Sequence, residues 1–162
     1  MLKARVTSNL PLVRKRFNKL FKKFPRTIIR GLEQAGVQLK EIILERTDRG
    51  VDFNKSKFAG YSPMYSALKS KTIVNLQDTN RMLQSIDSKI RNKNKVQIYF
   101  RSQSQAKKAL WHQQGMGNLP QRKFFGYDRR TEKVIRDSFE KFIGKQIKAL
   151  KLWVKEKILQ VI

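Results

Sequence analysis

Near its start the chain repeats apolar residues at spacings of three and four, the pattern of an amphipathic helix. The stripe in "SNLPLVRKRFNKLFKKF" predicts a first helix, with Ser8 or Asn9 as its N-cap. We predict that this helix ends at Pro25, because a proline inside a helix removes a backbone hydrogen bond. Its apolar stripe is explained by core packing. Its polar side carries the basic residues Arg14, Lys15, Arg16, Lys19, Lys22 and Lys23, which are candidate contacts for an anionic partner.

A second amphipathic helix is predicted from about Thr27 to Arg46, where the apolar stripe is the clearest in the chain. Gly31 and Gly36 interrupt it, and each costs about 1 kcal/mol relative to alanine. We therefore expect each glycine to permit close packing against another backbone.

The periodicity fades from Thr47 to about Val74, which predicts a long loop that is functional or mobile. Phenylalanines and tyrosines alternate there with lysines. Such aromatic side chains could stack on nucleic-acid bases or anchor a protein interface, and we favour the interface.

The segment "LQDTNRMLQSI" predicts a short helix that has Asp78 or Thr79 as its cap. Its apolar face would consist of Met82, Leu83 and Ile86. The alternation of apolar and polar residues in "KVQIYF" then predicts a half-buried strand. The intervening "DSKIRNKNK" is predicted to be a loop.

The last third of the chain predicts two further helices. "SQAKKALWHQQG" predicts a short helix that ends at Gly115, and "GMGNLPQRKFFGYD" an extended return to the final helix. Asp128 is a suitable cap for that final helix, whose stripe extends over about 30 residues, or about 45 Å. We expect so long a helix to break near Gly144 or to pack its end on another subunit. The predicted fold is α+β: amphipathic helices packed on a small antiparallel sheet, with a long C-terminal helix.

The charge of the chain is strongly unbalanced. It has 37 lysine and arginine residues against 12 aspartate and glutamate residues, a formal net charge of +25. This excess favours an anionic neighbour, such as nucleic acid, an acidic protein surface or anionic lipid. At 162 residues, with 40% hydrophobic residues, the chain can form one folded core. No apolar run approaches the roughly 20 residues of a transmembrane helix, so no membrane span is predicted.

The sequence offers no recognisable group of catalytic or metal-binding residues. Cysteine is absent and His112 is the only histidine, so Cys–His pairs and the usual zinc sites are excluded, and His112 is expected to be structural. Asp48 and Asp52 would be a weak carboxylate pair, and no phosphate-binding glycine loop is present. We therefore expect a protein that is not an enzyme and has no cofactor.

Five short segments, in this order, resemble the phage virion morphogenesis family, the tail-completion or neck proteins of tailed bacteriophages. That family carries an aromatic-rich "YSP" loop, a "Leu-x-Asp-Thr-Gly-x-Met/Leu-x-x-Ser-Ile" segment, an alternating strand, a His-x-x-Gly and a "Pro-x-Arg-x-Phe-x-Gly" turn. This chain has "GYSPMY" at 60–65, "LQDTNRMLQSI" at 76–86, "KVQIYF" at 95–100, "HQQG" at 112–115 and "LPQRKFFGYD" at 119–128.

The chain departs from the family pattern in three places. Asn80 stands where the family usually has glycine, and asparagine tolerates a left-handed backbone better than most residues. The other departures are the very basic N-terminal helix and the long C-terminal helix. The resemblance divides the chain into a basic amphipathic helix at 1–25, a tail-completion-like core at 26–136 and a C-terminal helical extension at 137–162.

The resemblance implies a structural subunit that forms a homo-oligomeric ring, often sixfold, at the head-proximal end of the tail. Its partners would be other neck, connector or tail proteins, with DNA as a non-specific neighbour. The protein would assemble in the host cytoplasm and reside in the virion. The resemblance also implies framework roles for Pro63, Asp78, Thr79, Met82, Ile86, His112, Gly115, Pro120, Arg122, Phe124 and Gly126.

Other hypotheses fit the same charge. A nucleic-acid-binding protein, ribosomal or chromatin-like, would use the basic stripe from Arg14 to Lys23 and the face from Lys141 to Lys157 as phosphate contacts. A membrane-surface protein would act through its first helix. The acid-free segment before Glu33 could also be an organelle transit peptide.

Overall fold

A computed structural model of the chain describes residues 10–69, 73–91 and 95–159, and it describes their side chains except at 10–21, 23, 69 and 152–159. The elements in chain order are α1 (Leu10–Asp48), α2 (Pro63–Lys69), α3 (Arg81–Gln84), β1 (Ile86–Arg91), β2 (Lys95–Phe100), α4 (Gln103–Gln114) and α5 (Arg129–Leu159). The fold is α+β, as predicted, with helices around a small antiparallel sheet and a long C-terminal helix.

Helix α1 is continuous over 39 residues and contains Pro25 in its interior. The predicted helix end at Pro25 is therefore wrong, and the predicted division between residues 1–25 and the core falls inside one helix. The cost of a proline, about 3 kcal/mol, is local, whereas helical apolar stripes flank Pro25 on both sides and favour continuation. The predicted caps Ser8 and Asn9 lie outside the described residues.

Strands β1 and β2 pair antiparallel, with a register that runs from Ile86 opposite Phe100 to Arg91 opposite Lys95. The predicted strand "KVQIYF" is confirmed as β2. The predicted loop "DSKIRNKNK" is wrong over its first half, because those residues belong to β1. A strand needs a neighbouring strand for its backbone hydrogen bonds. For β2 this neighbour is the segment just before it in the chain, which forms β1 although most of its residues are polar.

Both glycines of α1 lie at close packing contacts. A Cβ atom at Gly36 would lie 2.6 Å from Cγ2 of Val96 on β2, and one at Gly31 would lie 2.8 Å from the ring of Phe139 on α5. The expected close packing is confirmed, but the predicted backbone neighbour is wrong, because side chains lie against both glycines. Glycine at these positions lets the sheet and α5 pack directly onto α1.

The core lies where α1, α3 and the start of β1 meet the segment between α4 and α5. One residue from each is almost fully buried: Ile43, Leu83, Ile86 and Phe124. Burial of side chains of this size stabilises the fold by about 1.5–3 kcal/mol each. The segment around Phe124 is therefore a structural part of the domain, although it has no regular secondary structure.

Helix α5 continues for 31 residues, about 46 Å, without a break at Gly144. The Asp128 carboxylate accepts a hydrogen bond of 2.8 Å from the backbone N–H of Thr131, which confirms the predicted cap. Hydrogen bonds from Thr131, first from its side chain and then from its backbone, lower the pKa of Asp128. The predicted division between 26–136 and 137–162 falls inside α5, and packing of its end on another subunit stays a prediction. Among the helices of the described residues, none has the length and apolarity that a membrane crossing needs.

Candidate functional site

A cavity of about 770 Å³ lies between α2, the segment that precedes α3, and α4. Four of the five segments that carry the family resemblance contribute to its walls: 60–65, 76–86, 112–115 and 119–128. Residues that are far apart in the sequence thus meet around one opening. None of the described side chains of α1 or α5 lines it.

Arg122 connects three of these segments from a buried position, with 3% of its surface exposed. Its side chain donates hydrogen bonds to the carbonyls of Ala59 (3.0 Å) and Gly60 (2.9 Å). Its backbone N–H donates to the His112 carbonyl (2.7 Å), and its guanidinium lies 5.2 Å from the Tyr61 ring centre. Burial lowers the pKa of Arg122, but arginine remains charged at any physiological pH.

Phe124 and Gly126 follow Arg122 in the same segment, and both are hydrogen-bonded to a residue of α1, Arg46. Its Nη2 atom donates to the carbonyls of Phe124 and Gly126, each at 2.8 Å. A Cβ atom at Gly126 would lie 2.8 Å from the ring of Phe53, so this position has no space for a side chain. Arg46 was not among the residues predicted from the sequence. The available signal was its position three residues after Ile43, which places an arginine on the buried stripe of the helix.

The segment "LQDTNRMLQSI" differs from its prediction. Neither Asp78 nor Thr79 caps α3, and both are exposed on the cavity wall. The N-cap is Asn80, which has φ 57° and no side-chain capping bond. The cap prediction is therefore wrong, because the chain enters this four-residue helix through a left-handed residue. The expected left-handed conformation of Asn80 is confirmed. Met82 is buried as predicted, whereas Ile86 lies at the start of β1 rather than on the helix.

Helix α4 ends at Gly115, as predicted, with Gly115 in the left-handed conformation at φ 70°. A Cβ atom there would lie 2.9 Å from the backbone nitrogen of Gln121. Sequence reasoning missed Gln113, whose side-chain amide exchanges two hydrogen bonds of 2.9 Å with the backbone of Phe125. These contacts attach the end of α4 to the core segment.

The framework residues that the resemblance implies include two prolines, and both lie at the surface. Pro63 is the first residue of α2, a position where the missing N–H of proline costs nothing. The predicted long loop from Thr47 to Val74 therefore contains a helix. Pro120 is exposed and lies on the cavity wall, immediately after Leu119.

His112 lines the cavity and is half-buried. Burial lowers its pKa, and the positive charges of Arg122 and Lys108 lower it further. The imidazole is therefore neutral at pH 7. Its Nδ1 atom is buried without a hydrogen-bond partner.

The lowered pKa of His112 predicts that the stability of the protein depends on pH. The unfolded chain takes up a proton at His112 below a pH of about 6.5 while the folded chain does not, so stability is complete above this pH and falls below it. We expect His112→Gln to abolish this loss in urea unfolding measured between about pH 7.5 and about pH 5.5. The lowered pKa of Asp128 acts only below about pH 4, outside this window. If the stability of His112→Gln fell with decreasing pH as steeply as that of the unsubstituted protein, the assignment of this loss to His112 would be contradicted.

The acidic residues considered for chemistry have structural contacts instead. Asp52 accepts hydrogen bonds of 2.8 Å from the backbone N–H groups of Asn54 and Ser56, and Asp48 accepts one of 3.0 Å from Gln77. Across the described ranges there is no group of three or more histidine, aspartate and glutamate residues that could hold a metal ion.

The basic stripe of the first predicted helix lies on α1, where Lys22 is exposed. The side chains of Arg14, Lys15, Arg16, Lys19 and Lys23 lie outside the described residues. Their contact with an anionic partner stays a prediction.

Comparison of the chain with protein-family models, with curated protein sequences and with solved structures gives no match.

Proposed function

We propose that this protein is a structural subunit of a tailed-bacteriophage virion, a tail-completion or neck protein that forms a ring and helps to join the tail to the head. The observation that carries the proposal is that the resembling segments, which are separate in the sequence, lie next to one another in the fold. Four of them line one cavity, and Arg122 hydrogen-bonds to two of the other walls, at Gly60 and His112. Short motifs that match by chance have no reason to converge on one site.

The two long helices support the proposal. A helix of about 20 residues already spans a small domain, so α1 and α5, with 39 and 31 residues, exceed what one core of this size can cover. Phe24 and Val37 on α1 and Val134 on α5 are exposed by 37%, 48% and 48%. Ring neighbours would bury such apolar positions, and head-to-tail contacts that close through a rotation produce rings.

The native mass and particle shape of nuclease-treated protein at physiological salt test this proposal. We expect a closed ring of defined stoichiometry, about six subunits, by native mass spectrometry and negative-stain electron microscopy. A protein that stays monomeric at every concentration, and in the presence of purified phage tails, would contradict it.

We further propose that much of the positive charge meets acidic protein surfaces rather than DNA, because a channel that DNA must traverse should not retain it. Reversal of Lys19, Lys22 and Lys23 to glutamate should then impair the joining of heads to tails in a complementation assay. Normal joining by this variant would contradict the idea.

The second candidate is a non-catalytic nucleic-acid-binding protein, which the net charge of +25 favours. Such a protein should bind duplex with an affinity that falls about 10³- to 10⁵-fold between 50 and 200 mM salt if it contacts six to ten phosphates. Steep salt dependence in a monomer would favour this candidate over the ring.

A further inference from the structure

The cavity combines an apolar interior with apolar flanks. Leu76 and Met82 on its wall belong to the core, while Trp111 at its edge is 44% exposed. On α2, beside the cavity-lining Tyr65, Met64 and Leu68 are 79% and 76% exposed. Exposed apolar side chains grouped at a cavity are typical of a binding site rather than of a solvated surface.

The charge at the cavity is positive. Among the described residues, Lys107, Lys108 and Arg122 line it, against one carboxylate, that of Asp78. No ion pair within the described part of the chain uses Lys107 or Lys108. Lys107 Nζ lies 5.9 Å from the Trp111 ring centre, so a cation and an aromatic surface are adjacent. This arrangement suits a ligand that presents carboxylates beside a large apolar group.

Two residues on the cavity wall hold buried polar atoms that lack a hydrogen-bond partner, Oδ1 of Asn80 and Nδ1 of His112. Buried polar atoms in folded proteins are usually satisfied. Oδ1 of Asn80 is an acceptor, and a peptide backbone supplies N–H donors. A phosphodiester backbone has no such donor to offer.

We propose that this cavity binds an acidic peptide segment of a partner protein. The segment places one large apolar side chain against Tyr61, Met82 and Trp111, and its flanking carboxylates contact Lys107 and Lys108. This inference rests on the cavity alone and goes beyond the virion assignment, so either can fail without the other.

The test uses the full chain and a capped synthetic peptide, Asp-Asp-Phe-Asp-Asp. His112 is the only histidine, so its imidazole signals in an NMR titration report on the cavity without ambiguity. We expect a saturable shift of these signals and a raised pKa of His112, because bound carboxylates offset the charges of Lys108 and Arg122. The peptides Asp-Asp-Ser-Asp-Asp and Lys-Lys-Phe-Lys-Lys should bind at least about tenfold more weakly.

A matched pair of variants separates the cavity from overall charge. Lys107→Glu with Lys108→Glu should weaken binding of the acidic peptide about tenfold or more. Lys145→Glu with Lys148→Glu changes the net charge equally at exposed positions of α5, away from the cavity, and should alter the Kd less than about twofold. All four lysines are exposed, so both variants should fold, which thermal unfolding checks.

Four results would overturn the proposal. The two variants could lose affinity equally, or the serine peptide could bind as tightly as the phenylalanine peptide; either result would mean that binding follows overall charge. The signals of His112 could remain unchanged at saturation, which would place the peptide elsewhere. A short oligothymidylate that shifts His112 at lower concentration than the peptide, and loses this effect with the Lys107 and Lys108 substitutions, would reassign the cavity to nucleic acid.

Discussion

Phe124→Ala is expected to lower the free energy of unfolding by about 3–5 kcal/mol. Phe124 is fully buried, and it packs in the cluster that contains Ile43, Leu83 and Ile86. Truncation removes the ring from the junction between α1, α3, β1 and the segment after α4, and it leaves a cavity that the neighbours cannot fill. Urea unfolding followed by circular dichroism measures the loss. For a domain with a total stability of about 5–15 kcal/mol, it is a large fraction.

Tyr127→Ala is the matched control, since Tyr127 is an aromatic residue of the same segment that is 58% exposed. It should change stability by no more than about 0.5 kcal/mol. Equal effects of the two substitutions would show that the segment is not anchored through Phe124.

Arg46→Met is expected to cost about 3 kcal/mol, because hydrogen bonds from a charged donor contribute about 1.5–3 kcal/mol each and Arg46 makes two. The substitution leaves the carbonyls of Phe124 and Gly126 without the Nη2 donor, whereas methionine still fills much of the space of the arginine stem. Loss of the charge also removes a desolvation cost, since burial lowers the pKa of Arg46, and this keeps the expected effect below the full sum. Urea unfolding again measures it.

The control is Arg49→Met, in the turn directly after the same helix. It removes the same charge, but Arg49 is exposed and forms only a 3.3 Å surface ion pair with Glu45, so the expected cost is at most about 0.5 kcal/mol. If Arg46→Met were no more destabilising than Arg49→Met, the hydrogen bonds from α1 to the segment would contribute nothing to stability.

The two proposals give the resembling segments different roles. In the virion proposal they are a shared framework for a ring subunit. In the cavity proposal their surface residues, Asp78, His112 and Pro120 among them, surround a peptide site. Substitution of Lys107 and Lys108 tests the second role without touching the buried Arg122 and Phe124 on which the framework depends.

The sequence alone was sufficient to predict the features that depend on local pattern. The stripe from Thr27 to Arg46, the long final helix with its Asp128 cap, the end of α4 at Gly115 and strand β2 were all predicted. Each is specified by residues within a few turns of one another, through periodicity, capping and the conformational freedom of glycine. The α+β class follows from these elements.

Only the tertiary structure decided the features that depend on distant residues. Ile86 begins a strand because β2 pairs with it, and the chain enters α3 through Asn80 rather than an aspartate cap. Arg46 bonds to carbonyls 78 and 80 residues away, and the cavity gathers its walls from four separate segments. Neither the partners of Arg46 nor the cavity is visible in a local pattern, because the energy of a buried hydrogen bond or an apolar contact depends on which groups the fold brings together and not on their separation in the chain.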